Sequence, residues 1–174
     1  KQHTQSADDI RQCAQMADCF CAAVSLPGPR TPYYASHAGM LWHKLGQYRK
    51  TLEYAQLARD IGRAVLPKNH PVLADLSGNL GTAFGDLGRY DQELRFHLEA
   101  LQIRLKTLPP DHPDLAHIYS SLGTAYGGQG DPQRELEYQQ KALKIRLSCL
   151  PAGHPDLADS YDKVGSALCA LGEY

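Results

Sequence analysis

His70-Pro71-Val72-Leu73-Ala74, His112-Pro113-Asp114-Leu115-Ala116 and His154-Pro155-Asp156-Leu157-Ala158 are one pentapeptide written three times at a constant spacing. The same 42-residue step carries Leu80-Gly81-Thr82-Ala83-Phe84 onto Leu122-Gly123-Thr124-Ala125-Tyr126, and then onto Val164-Gly165-Ser166-Ala167-Leu168. Gly46, Gly88, Gly130 and Gly172 form one further column. Leu52, Leu94 and Leu136 form another, as do Ala58, Ala100 and Ala142, and Leu66-Pro67, Leu108-Pro109 and Leu150-Pro151. So many coincident columns do not arise by chance. A fixed period in this range marks an array of stacked units rather than a single closed core.

Each unit reads as two helices. Leu115, Ile118, Tyr119, Leu122, Ala125 and Tyr126 recur at three- and four-residue steps, the stripe of an amphipathic helix. Leu94, Leu98, Leu101, Leu105 and Leu108 draw a second stripe in the same way. Pro71, Pro113 and Pro155 stand where a first helix begins, a place where the missing amide costs nothing. Asp114 and Asp156 follow in the first turn, favoured by the helix dipole. Gly88 and Gly130 end the first helix, and Asp131-Pro132 caps the next.

The expected organisation is an N-terminal helix within 1–28, capping the array or left from a preceding unit. A divergent unit over 29–69, full units over 70–111 and 112–153, and the first helix of a fourth unit over 154–174 follow. Helices are expected over 7–25, 32–46, 48–65, 71–87, 90–107, 113–129, 132–149 and 155–171. The fold class is all-α, a right-handed α-solenoid of antiparallel helix pairs. With no initiator Met, the sequence reads as a piece of a longer chain.

Composition excludes several functions. Eighteen Lys and Arg against nineteen Asp and Glu give a net charge of −1, without the basic excess that nucleic acid or an anionic membrane demands. The longest apolar run, Cys19–Val24, is far short of the roughly 20 residues that span a bilayer. Five cysteines cannot all pair, so reduced thiols and a cytoplasmic setting are expected. His70, His112 and His154 recur like a ladder of metal ligands, yet neighbouring helices lie about 8–10 Å apart, too far to share one ion. No Gly-rich phosphate loop, nucleophile or acid–base pair is evident, so neither an enzyme nor a cofactor is expected.

Within this frame, Leu-Gly-x-x-Phe/Tyr, a Gly four residues on, an aromatic, and then Ala-Leu together resemble the tetratricopeptide repeat. The 42-residue form, with Ala-Leu-x-Ile-Arg and His-Pro-Asp-Leu-Ala, is similar to the repeats of kinesin light chains and nephrocystin-like proteins. The resemblance implies a superhelix whose concave wall, built from the first helix of each unit, holds a protein or peptide. Projecting the helices gives that wall as Asp75, Asn79, Thr82 and Asp86, then His117, Ser120, Ser121 and Thr124, then Asp159, Asp162, Lys163 and Ser166. The first unit would add His37, Met40, His43 and Lys44. Asn79 matches the groove asparagine with which such repeats hold a ligand's backbone. The Lys, Arg and Asn cluster of chaperone-binding repeats is missing. Kinesin light chains favour acidic peptides bearing an aromatic residue, and Asp75, Asp86, Asp159 and Asp162 argue against a strongly acidic guest.

The expected function is a non-catalytic protein-interaction scaffold. Self-association into a homo-oligomer, through the open terminal helix or the convex face, is the alternative. One column departs from the repeat pattern: Thr51, Glu93 and Glu135 stand where a small residue usually faces the first helix. A carboxylate there is either partly buried and paired, or turned outward by a small helix rotation. Arg104 and Arg146, repeated at the same step, either bind a partner or pair within the fold.

Overall fold

Residues 30–172 are described by a computed structural model, together with Gln15, Met16, Asp18, Cys19 and Ala22. Most of the helix expected over 7–25 lies outside the described residues; those five positions are helical. Seven helices follow among the described residues: α1 (Thr31–Lys44), α2 (Tyr48–Val65), α3 (Pro71–Gly85), α4 (Tyr90–Thr107), α5 (Pro113–Gly128), α6 (Pro132–Cys149) and α7 (Pro155–Leu171). Each helix packs chiefly on its neighbours in sequence, α1 with α2, α3 with α4 and α5 with α6 forming the units. The result is the all-α solenoid of helix pairs that the repeat predicts.

The repeated residues set the boundaries. His70, His112 and His154 are the N-caps of α3, α5 and α7, and each imidazole Nδ1 accepts from the amide two residues on, at 3.1 to 3.2 Å. That amide has no partner inside the helix, which explains why the histidine recurs. At the other end, Gly46, Gly88 and Gly130 adopt φ of +68°, +69° and +81°. The residue after each donates back to a carbonyl five positions earlier: Gln47 to Trp42, Arg89 to Phe84 and Asp131 to Tyr126. This left-handed stop ends α1, α3 and α5 one or two residues before the sequence expectation.

The core runs along the array as a main cluster from Ala35 to Ile145 and a smaller one of Ala55, Leu80, Ala83, Phe84 and Phe96. Leu80, Leu115 and Leu122 are fully buried, as are the small residues Ala35, Ala58, Ala74, Ala100, Ala116 and Ala142. Phe84 stacks on Phe96 with centroids 5.4 Å apart. One period later Tyr126 stacks on Tyr138 at the same distance, so aromatic pairing is itself part of the repeat.

Candidate peptide-binding groove

Among the described residues two hollows run along the middle and C-terminal part of the inner wall, and a third, about 590 Å³, borders Ser36, His37, Asp75 and Leu76 near the N-terminal ends of α1 and α3. The first, about 250 Å³, lies between α1 and α3 over the inner face of α2. Gly39, Ala55, Ala58, Leu76 and Ala83 line it, and Asn79, Thr82 and Asp86 stand at its edge. The second, about 620 Å³, runs across α3, α5 and α7 and is far more polar. Thr82, Asp86, His117, Ser120, Ser121, Thr124, Asp159 and Lys163 all border it. Asp75 borders the third hollow, and Asp162 and Ser166 border none of the three.

Many wall residues bond to one another. Asn79 Nδ2 donates to Ser36 Oγ at 3.1 Å, and Lys163 Nζ donates to Ser120 Oγ at 3.0 Å. Both bonds cross between neighbouring units at the same register, so one column donates and the adjacent one accepts. Ser120 is buried at 3% exposure, its carbonyl accepting from Gln139 Nε2 at 3.1 Å. The hydroxyls of Thr82, Ser121, Thr124 and Ser166 each donate to the carbonyl four residues earlier. At Thr82, Ser121 and Thr124 they cover their own helix while presenting an oxygen to the groove.

The aspartates are held in a similar way. Asp86 meets His43 Nε2 at 3.1 Å. Burial pushes its carboxyl above the ordinary value and the Glu93 charge adds to this, while His43 pulls the other way. Asp75 and Asp114 share the Arg104 guanidinium, so this arginine joins α3 to α5. Arg146 donates to Ser160, to the Asp156 carbonyl at 3.3 Å and to Asp159 at 3.4 Å. The two repeated arginines therefore pair within the fold. Burial pulls the His117 imidazole below its ordinary value, and the nearby Arg146 cation reinforces this.

The departing column resolves by complementary size. Glu93 is buried, its carboxyl lying where a Cβ on Gly85 would stand, 2.5 Å away. His97 Nε2 is 3.7 Å from that carboxyl. Glu135 covers Gly127 in the same way, half-buried, with its carboxyl raised by desolvation. In the first unit the sizes are exchanged: His43 replaces the glycine and Thr51 replaces the glutamate.

Second helices thus reach the wall, which a projection of first helices alone misses. Glu93, His97 and Arg146 border the larger hollow, and Thr51 and Ala55 the smaller. The signal was present as the column Ala55, His97 and Gln139, in which only the first member is small. The three repeated histidines serve as caps. Among the described residues no three His, Cys, Asp or Glu side chains gather as a metal site. No helix among them is long and apolar enough to cross a membrane.

A family model described as tetratricopeptide repeat matches residues 31–106 and 94–148. No curated protein matches the chain in sequence. Among solved structures, BtubC (BKLC) from P. vanneervenii is similar with a TM-score of 0.83 and 22% identity, over 97% of this chain and 69% of that one. A protein from Podosopora anserina described as a kinesin light chain, with nearly identical TPR-like repeats, gives a TM-score of 0.76 and 21% identity, over 99% and 82%. The apo form of RapI gives 0.75 and 15%, over 88% and 54%. These likenesses establish the fold.

Proposed function

Because the chain belongs to the tetratricopeptide repeat family, whose fold generally serves as a protein-interaction scaffold, we propose that its concave groove binds an extended peptide or a helix of a partner protein. The observation that carries this reading is the pair of hollows along one inner wall. A continuous trough of that kind suits an elongated guest better than a compact one. The wall mixes hydroxyls, paired charges and apolar recesses, a composition suited to a guest of mixed polarity. Asn79 keeps its amide oxygen for a guest while its nitrogen serves Ser36. The aspartates' partners weaken the charge argument against acidic guests, since Asp75, Asp86 and Asp159 are each met by a cation or a histidine. The scaffold works without catalysis, in the cytoplasm, where its thiols stay reduced.

The test is a peptide-display selection on the wild-type chain beside a Ser121→Glu/Thr124→Arg variant, whose side chains would fill the larger hollow. Enriched peptides that lose at least tenfold in affinity for the variant support the groove. Equal binding to both forms places the site elsewhere.

A second reading rests on α7. Gly81 and Gly123 are covered by His97 and Gln139, whereas nothing lies within 4 Å of a Cβ built on Gly165. Tyr161 beside it is 54% exposed. Pairing of two copies through this face would make the sedimentation mass rise with concentration, and a constant monomer mass would remove that reading.

A further inference from the structure

The three units share one backbone plan, and at one point of the inner wall the first unit departs from the other two. In the third unit Gln139 lies against Gly123 and donates to the Ser120 carbonyl, closing the space between first and second helix. In the second unit His97 lies against Gly81 and does the same job, with its ring 3.1 Å from where a Cβ would be. The first unit keeps the glycine, Gly39, and the serine, Ser36, at the matching positions. It carries Ala55 where the others carry Gln139 and His97, and the smaller hollow opens there.

That hollow has the features of a seat for a single side chain. At about 250 Å³ it is below the roughly 300–1,000 Å³ of pockets that take drug-sized molecules. It is larger than the cavity of about 150 Å³ that accommodates a benzene ring. Its floor is Ala55, Ala58, Leu76 and Ala83, and Met40 stands at the mouth, 45% exposed. The charged groups His43, Lys44 and Asp86 stand at the rim, His43 and Asp86 already paired with each other, so the floor itself presents no charge to a guest.

We propose that the hollow of the first unit is the anchor subsite of the groove, taking one uncharged apolar side chain, of leucine to phenylalanine size, from a partner segment. Ala55 is the residue that determines this specificity, because its size decides whether the seat exists. The proposal rests on the groove reading given above and adds where the guest is gripped and by what chemistry.

The deciding variant is Ala55→Gln, which writes the third unit's solution into the first. The new side chain would lie against Gly39 and reach the Ser36 carbonyl, copying Gln139, Gly123 and Ser120. Circular dichroism and a melting temperature no lower than that of the parent would certify the fold. A random twelve-residue display library is the probe, selected in parallel on both forms. The expected result is a wild-type motif with one fixed Leu, Ile, Met or Phe, whose peptides bind Ala55→Gln at least tenfold more weakly. Replacing that fixed residue by Ala should cost wild-type affinity by a similar factor and leave Ala55→Gln binding unchanged.

Peptides that lose affinity for Ser121→Glu/Thr124→Arg but not for Ala55→Gln would overturn the anchor while leaving the groove reading in place. A motif fixed at a charged residue would overturn the anchor chemistry. Failure of any peptide to enrich would remove the groove reading and the anchor with it. A dimer dissolved by Ala55→Gln would assign the hollow to a second copy of the chain and overturn the proposal.

Discussion

At the scale of single residues, the array is specified by a few positions with one physical task each. The cap histidines, the left-handed glycines and the Gly–Gln or Gly–His contacts are all of this kind. His117 is the residue whose task is most sensitive to conditions. Its folded value lies below the ordinary 6.5, so at mildly acidic pH the unfolded chain takes up this proton before the folded one does. Stability is therefore unaffected by this group above about pH 6.5, falls as the pH drops through that value, and levels off below the folded value. An NMR titration of the His117 ring should give a midpoint under 6.5, and His117→Gln should lose this part of the acid sensitivity. A midpoint at or above 6.5 would contradict the account. The cap histidines were legible as helix starts because Pro follows each one. The burial of Glu93 was not legible, since a carboxylate in a small-residue column fits an inward or an outward solution equally well. What decides it is Gly85, eight residues earlier, whose missing side chain leaves the room.

At the scale of helices, the boundaries followed from repetition combined with Gly and Pro chemistry. The small discrepancies at the ends of α1, α3 and α5 come from the left-handed turn, which needs one or two residues to unwind before the glycine. The weight each helix bears cannot be read from its own stripe. Leu122 and Val164 occupy the same column, yet Leu122 is fully buried between α5 and α6 while Val164 on α7 is only partly covered. Leu122→Ala should cost about 2–5 kcal/mol by cavity formation. Val164→Ala should cost less than half as much. Urea unfolding of the two variants, compared at unchanged slope, makes this measurement. Equal costs would mean that α7 is covered by something that its packing on α6 does not supply. The candidate groove was half legible for the same reason: first helices could be projected one by one, while the contribution of Ala55 exists only in comparison with His97 and Gln139.

At the scale of the whole molecule, contacts run between neighbours in sequence, so stability is a sum along a line and not a property of one core. Amide exchange should then be slowest in α4 and α5, at the middle of the described array, and markedly faster in α7, which packs chiefly on α6. Uniform protection through all seven helices would refute that ordering. A further consequence lies in how adjacent inner helices are tied. α1 and α3 are joined near their C-terminal ends by His43 and Asp86, whereas α3 and α5 are joined near their N-terminal ends by Arg104 between Asp75 and Asp114. The first pair is tied again at mid-wall by Asn79 and Ser36, so these inner helices are fastened at more than one height. Widening the groove at either junction would have to break these polar ties, so the inner wall would hold its width as a guest is seated.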